Sequence, residues 1–371
     1  MEESDFLASE QEIAKLEYKG KSWSQLVKES LTKAEDIAEL TNQPIELLRQ
    51  VTENFPARIN PYYFSLIQKE NDPIWKQCIP DIKELSPIGF VDPLNEERDK
   101  HGCVVHRYPT KCLFLASNQC ANYCRFCTRK RRVGDLEKNI TKEEIREGID
   151  YIKETKQIKD VLISGGDPLM LPTPALKKLI KELIEIEHVN ILRIGTRIPC
   201  TLPQRITQDK RLLSMLKKYS SIKPIYLNTH FNHPREVTQE AKEACFALAN
   251  AGIPLGNQSV LMKGINDDYE TMLELVEKLV TIKVKPYYVY FPDLVIGTEH
   301  FRVRVERGIE IVSKLRGRTT GFAVPTLVID APGGLGKTPV IKDNILSIND
   351  KEVVMKNYEG KVFSYPQPLE I

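Results

Sequence analysis

The sequence predicts an α/β protein: a parallel sheet curling into a partial (β/α)6 barrel, preceded by a helical region and followed by a short extension. Three observations predict it. Between residues 112 and 315, short β-rich runs alternate six times with amphipathic stretches, and parallel strands connected in this way need right-handed helical crossovers. Ahead of that series apolar residues return at helical spacing, whereas behind it short runs alternate with turn residues. Distinctive polar residues also gather where the runs hand over to loops, the face on which barrels build active sites. A flat doubly wound sheet is the alternative arrangement of the same elements.

Taken in order, residues 1–95 form a helical N-terminal region. "SWSQLVKESLTKAEDIAEL" and "PIELLRQVTENF" carry helical apolar spacing between prolines, and no chemistry announces itself there. Residues 96–318 form the barrel. Strands are expected at 112–117, 160–164, 190–195, 224–228, 254–262 and 286–291, with helices near 141–156, 174–187, 210–218, 238–251, 267–281 and 303–315. Thr141 and Glu144 make a capping box at the start of the first of these helices. Residues 319–371 begin with a seventh run, "PTLVID" (325–330), which leads into "APGGLGKTPV"; short strands and turns follow.

The 371 residues are 41% hydrophobic, ample for a buried core. The net charge of +2 is spread along the chain rather than massed in one tail, so nucleic acid is not the expected partner. The acidic start lacks a cationic segment and an apolar core, and no run approaches the roughly 18 apolar residues of a membrane span. A cytoplasmic location with no membrane association is the expectation. Cys78, Cys103, Cys112, Cys200 and Cys245 stand singly, mostly beside apolar residues, as packed thiols do in a reducing compartment.

The other three of the eight cysteines lie together in "CANYCRFC", as Cys120, Cys124 and Cys127. A closed zinc site needs a fourth ligand, here a distant His or Cys. A 4Fe-4S cluster needs only these three if one iron is left for a ligand that is not protein. An amine and a carboxylate on one small molecule, such as the methionine part of S-adenosylmethionine, would chelate that iron and receive an electron from it. With Phe126 before Cys127, and the motif directly after the first strand of a βα series, the segment resembles the signature loop of the radical S-adenosylmethionine superfamily. "SGGDPL" (164–169) is similar to that superfamily's glycine-rich segment, whose backbone approaches the methionine amino group because no Cβ intervenes. The resemblance implies a partial barrel of that type, a 4Fe-4S cluster on Cys120, Cys124 and Cys127, and Gly165, Gly166 and Asp167 beside S-adenosylmethionine.

"APGGLGKTPV" imitates a phosphate loop, but Ala331 stands where GxxxxGK[ST] needs glycine, and Pro339 stands where the phosphate-binding helix should begin. Nucleotide hydrolysis is therefore not expected. A lysine on a glycine loop has another use, forming and exchanging Schiff bases with an aldehyde cofactor; a solvated surface lysine is the plain alternative. Together with "VVHRYPTKCLFLASNQC", "DVLISGGD", "LPQRIT", "LNTHFNHP", "IPLGNQSVL", "PYYVYFPDL" and "NYEGKVFSYPQP", this loop resembles the lysine 2,3-aminomutase family over residues 104–367. That resemblance implies the transfer of the 2-amino group of L-lysine to C3, giving β-lysine. It implies pyridoxal 5'-phosphate on Lys337 with Arg107, Tyr108 and Lys111 around it, Lys111 standing where arginine is usual. It also places His230 and Gln258 beside S-adenosylmethionine, Arg129 on the substrate carboxylate, and Asp293 and Asp330 on the far ammonium.

The family's zinc site is expected to be absent, since no C-terminal cysteine group is present and Asp268 stands at about the place of the earlier cysteine. "PDLVIG" and Leu335 depart from the usual residues close to the substrate and cofactor. Ornithine, arginine or a protein lysine of elongation factor P are accordingly alternative substrates for the same chemistry. A flavodoxin or ferredoxin type electron donor and a homo-oligomer are further expectations from the family. A remote alternative is a metal-stabilised nucleic-acid module using the run Arg129 to Arg132.

Overall fold

The computed structural model describes residues 15–341, 344–357 and 359–368. The acidic start, residues 1–14, and Tyr358 of "NYEGKVF" lie outside the described residues. The N-terminal region contains helices at Trp23–Lys28, Ala34–Thr41 and Ile45–Asn54 and two single-turn helices, Pro61–Phe64 and Trp75–Cys78. The stretch read above as continuously helical from residue 22 to 40 is broken. Leu31 leaves the helix to pair with Ile59, and burying both side chains outweighs continuing the helix.

Ten strands follow in one sheet: β1 (Lys100–His101), β2 (Val104–Tyr108), β3 (Lys111–Ser117), β4 (Asp160–Gly165), β5 (Ile191–Gly195), β6 (Ile225–Thr229), β7 (Leu255–Val260), β8 (Val284–Tyr290), β9 (Thr326–Ala331) and β10 (Gly336–Pro339). Their spatial order is their chain order. β3 to β9 are parallel neighbours, while β1, β2 and β10 are added antiparallel at the two sides. β1 and β10 end the sheet, so the barrel is partial and open.

The crossovers are the helices Lys142–Glu154, Thr173–Ile184, Lys210–Ser220, Gln239–Asn250, Tyr269–Thr281 and Val305–Leu315. Each buries one stripe against the sheet, as Leu176, Leu179, Ile180 and Leu183 do at spacings of three and four. The Thr141 capping box is formed. Asp268 caps the helix at Tyr269 by accepting from the amide of Thr271.

Strand alternation then decides which residues see the barrel interior. On β4, Val161 and Ile163 are wholly buried against the helices, while Leu162 and Ser164 face a central cavity; on β5 Arg193 faces it between the buried Leu192 and Ile194. Residues from 319 onward contribute to two sheets. β9 and β10 continue the large one, and β11 (Ile345–Ile348), β12 (Glu352–Lys356) and β13 (Val362–Pro366) form a separate antiparallel sheet. Among the described residues no helix is long and apolar enough to cross a membrane.

Candidate active site

The cysteine loop leaves β3 at Ser117 and is met at once by the end of β4. A Cβ on Gly165, whose φ is +124°, would come within 2.2 Å of the Ser117 carbonyl oxygen, and one on Gly166 within 2.6 Å of that of Gln119. The two glycines let the backbones touch: the Gly166 amide donates to Ser117 and the Asp167 amide donates to Gln119 at 2.8 Å. Asp167 itself is buried, and its carboxylate accepts from Thr196 Oγ1 and from the amides of Arg197 and Leu169. Burial pushes its pKa up to about 6 against those hydrogen bonds. Its side chain is thus committed to the loop and does not line the cavity.

The other side of the cysteine loop rests on the N-terminal region, where the sequence announced no chemistry. The amides of Tyr123 and Arg125 donate to the carbonyls of Arg58 and Gln77, and Arg58 Nη1 and Asn60 Nδ2 donate to the carbonyls of Cys120 and Ala121. Arg125 and Lys130 both reach Glu84 in the interior, at 2.7 and 2.6 Å. Burial alone would raise the Glu84 pKa, but the two cations hold it below the usual carboxylate range.

Cys120, Cys124 and Cys127 are partly accessible, whereas the five other thiols are buried. Among the described residues no group of three His, Cys, Asp or Glu side chains stands close enough to hold a single metal ion. An iron-sulfur cube binds each thiolate on a different iron, so its ligands need not converge on one point. Burial first, then Asp167 and the neighbouring thiols, raise the pKa of Cys120 well above its ordinary value, and burial followed by Cys124 raises that of Cys127 to about 11. A cation already waits beside them: Arg197 Nη1 donates to Cys124 Sγ at 2.8 Å, while Nη2 donates to Glu236, Gln77 and Tyr63 and Nε to the His230 carbonyl.

Beyond the loop lies a cavity of about 340 Å³. It is lined by Arg107, Tyr108, Lys111, Arg129, His230, Gln258, Asp293, Asp330 and Lys337, so these sequence candidates share one space; the three cysteines, Gly165, Gly166 and Asp167 stand outside its lining. One end is cationic. Lys111 Nζ lies 4.1 Å from the centre of the Tyr108 ring, and Arg193, held by Asp160 at 2.8 Å, stands beside it. Burial, then Arg193 and Lys337, lower the Lys111 pKa. Arg107 is fixed by Asp99 at 3.1 Å and by the Leu94 carbonyl.

Lys337 lies on β10, and its amide donates to Tyr108 Oη at 2.9 Å. Its Nζ meets Asp330 Oδ2 at 2.5 Å; burial opposes the charge, but Asp330 outweighs it and holds the amine protonated. Among the described residues, Asp330 Oδ1 and Tyr290 Oη are buried without a hydrogen-bond partner. Those orphaned groups, the amine and the nearby cations fit a phosphorylated aldehyde with further polar substituents. Leu335, where glycine is usual, has φ −75°, a conformation any residue adopts.

The cavity wall also carries carboxylates. Asp293 Oδ2 accepts from Thr128 Oγ1 at 2.5 Å, and burial followed by the charge of Asp330 pushes the Asp293 pKa up to about 7. Arg129 is gripped by Glu96 at 2.6 Å through Nη2 and also through Nε, and Nη1 donates to the Gly165 carbonyl at 3.3 Å. His230 is held neutral, its pKa pushed down to about 3 by burial and by Arg197, and its ring tilts against Phe126.

The basic run is not a free surface. Arg129 pairs with Glu96, Lys130 with Glu84, Arg131 with Asp92, Glu96 and Glu97, and Arg132 with Glu97. The acidic stretch 92–97 was the available signal for this pairing, and it went unread. Glu84, Glu96, Thr128 and Arg193 are residues that sequence reasoning did not place in the site.

Comparison with known proteins adds a family context. A Radical SAM superfamily model matches residues 115–276, and a Lysine-2,3-aminomutase model matches residues 312–371. The chain is 48% identical over 354 residues to an L-lysine 2,3-aminomutase of Fusobacterium nucleatum, covering 93% of this chain and 82% of the relative. It is 48% identical over 335 residues to the L-lysine 2,3-aminomutase of Clostridium subterminale, covering 89% and 79%. It is also 45% identical over 330 residues to a glutamate 2,3-aminomutase of Clostridioides difficile, covering 88% and 77%.

Proposed function

The chain belongs to the lysine 2,3-aminomutase family of radical S-adenosylmethionine enzymes, isomerases that bind a 4Fe-4S cluster and S-adenosylmethionine, and from that premise we propose that it moves the 2-amino group of L-lysine to C3, giving β-lysine, with pyridoxal 5'-phosphate on Lys337. The observation that carries the reading is a cavity lined by two half-buried carboxylates, Asp293 and Asp330, by a protonated lysine paired with Asp330, and by an arginine already held in place. A carboxylate pair attracts an ammonium and repels a glutamate side chain, which favours lysine over the amino acid named for the Clostridioides relative.

In this reading Cys120, Cys124 and Cys127 hold the cluster, while Gly165, Gly166, His230 and Gln258 stand beside S-adenosylmethionine. Arg107, Tyr108, Lys111 and Arg193 surround the phosphorylated cofactor. When bound, the cluster with S-adenosylmethionine supplies a hydrogen-abstracting radical, and pyridoxal phosphate supplies the aldehyde that carries the migrating nitrogen. This chain's own residues bind and orient. Arg129, fixed in plane by Glu96, takes the α-carboxylate. Asp293 and Asp330 take the distal ammonium; Asp330 is freed for it once Lys337 Nζ is engaged elsewhere. His230 stays neutral and adds no charge beside the sulfonium. Phe126, Tyr288 and Tyr290 wall the cavity and keep water from the radical. An external one-electron donor of flavodoxin or ferredoxin type completes the cycle.

The test is anaerobic turnover of L-lysine by reconstituted protein with S-adenosylmethionine, pyridoxal phosphate and dithionite, read by mass spectrometry. β-Lysine without stoichiometric 5'-deoxyadenosine, lost in Lys337→Ala, supports the proposal. Cleavage of S-adenosylmethionine with no β-lysine overturns lysine as the substrate.

A further inference from the structure

The tripeptide Cys127, Thr128, Arg129 joins three functions that the sequence reading kept apart. Its first residue is a candidate cluster ligand, and its last is the candidate partner of the substrate carboxylate. The middle residue donates from Oγ1 to Asp293 Oδ2 at 2.5 Å, across 165 positions of chain. Among the described residues Asp293 is otherwise held through its backbone carbonyl, which accepts from the Val295 amide at 2.8 Å and from Thr298 Oγ1 at 3.2 Å. Thr128 is thus the side chain that fixes where the Asp293 carboxylate points.

Its partner carboxylate is not fixed in the same way. Asp330 Oδ2 is held by Lys337 Nζ, a group that the proposed chemistry engages elsewhere, and Asp330 Oδ1 has no hydrogen-bond partner among the described residues. Of the two acidic groups, only Asp293 keeps a constant position while Lys337 changes partners. Arg129 is equally constant, gripped by Glu96 and the Gly165 carbonyl.

We propose that Thr128 is a specificity-determining residue: by tying Asp293 to the residue next to Arg129, it sets the span between the groups that receive the two ends of the amino acid, and so selects its chain length. This rests on the reading of Arg129 and Asp293 as the partners of the carboxylate and the distal ammonium. With both groups fixed, an amino acid one methylene shorter, such as ornithine, is expected to lose one of the two contacts.

The experiment compares kcat/KM for L-lysine and L-ornithine in the wild-type holoenzyme, in Thr128→Val, which keeps the shape and loses the donor, and in Thr128→Ser, which keeps the donor. Binding of both amino acids by calorimetry gives a second readout independent of turnover. Iron content and the cluster's electron paramagnetic resonance signal, matched between variants, exclude damage to the neighbouring Cys127. The expected result is a fall of about tenfold in kcat/KM for lysine in Thr128→Val, carried by KM, the size expected for losing one hydrogen bond to a charged group. The preference for lysine over ornithine falls with it, and Thr128→Ser restores that preference. An unchanged preference in Thr128→Val overturns the proposal, whatever happens to the rates. Asp293→Asn, measured with lysine against 2-aminohexanoate, separates the two levels. Unchanged preference there overturns the role of Asp293 and the proposal with it, whereas lost preference combined with an unaffected lysine to ornithine ratio in Thr128→Val overturns the proposal alone.

Discussion

The cysteine loop and the Lys337 loop both border the cavity, and they are fastened by different forces. The cysteine loop is bolted by charge: Arg125 and Lys130 reach buried Glu84, Arg129 reaches buried Glu96, and Arg197 reaches Cys124 itself. The Lys337 loop is held chiefly by backbone shape, by strand pairing to β9 and by hydrogen bonds, its lysine being paired with Asp330. Gly334 and Gly336 take positive φ, Tyr108 Oη accepts from the Lys337 amide, and Asn357 Nδ2 donates to the Leu335 carbonyl at 2.9 Å. Three thiols that must match a rigid inorganic array need a fixed loop. An amine that must exchange partners needs one with little invested in any single position.

The sharpest way to break that comparison is to remove a bolt. Glu84→Gln leaves Arg125 and Lys130 buried without their carboxylate, and breaking a buried pair in this way costs about 3–5 kcal/mol. The denaturation midpoint should fall accordingly, and reconstituted iron per chain should fall with it. Retained iron with full stability would show that the N-terminal region does not carry the loop.

A second test uses protons. Asp293 titrates near pH 7 rather than at its ordinary 3.8, because burial and Asp330 disfavour its charge. An ionised Asp293 is what the distal ammonium needs, so KM for lysine should rise as pH falls through about 7, approaching tenfold per unit below it. The stability of the ligand-free protein runs the other way. A carboxyl whose folded pKa is raised contributes stability below its unfolded value, and that contribution is lost as pH rises from about 4 to about 7. Asp293→Asn should abolish both trends, and a KM that stays flat between pH 6 and 8 would remove Asp293 from the binding of charge.

These contrasts also explain what could be read beforehand. The βα alternation was legible because each element carries its own period, and the sharing of one face by Asp293 and Asp330 followed from their places at strand ends, whereas Arg129 and Lys337 were placed with them by the family resemblance. The cradle under the cysteine loop was not legible. Glu84 and Arg125 are 41 positions apart, each looks like a surface charge in its own segment, and only tertiary packing brings them together. Asp167 misled in the opposite direction: its neighbours Gly165 and Gly166 mark a close approach, but that approach is to the Gln119 backbone, and the carboxylate turns toward Thr196 and the Arg197 amide. The helix expected through Leu31 failed because spacing says nothing of the isolated antiparallel bridge to Ile59.

The softer loop calls for smaller effects. Asn357 is buried; its Nδ2 serves Leu335, and its Oδ1 accepts from the amides of Glu359 and Lys361. Asn357→Ala should cost about 1 kcal/mol of stability, and because the lost bond steadies the Lys337 loop, pyridoxal phosphate should dissociate more readily, as its visible absorbance would report. Equal retention of the cofactor would place Asn357 in the C-terminal sheet alone.

The smallest change tests whether the loop's departure from an all-glycine sequence matters. Leu335 sits at φ −75° and ψ −2°, where a side chain meets no backbone penalty, and it packs partly buried against the core. Leu335→Gly should therefore destabilise the protein, by about 0.5–1 kcal/mol from the added freedom of the unfolded chain together with a share of lost packing, while turnover of lysine stays close to that of the wild type. A gain in turnover from the glycine would mean that mobility around Lys337 limits the reaction, and the loop would then be less free than its sparse fastening implies.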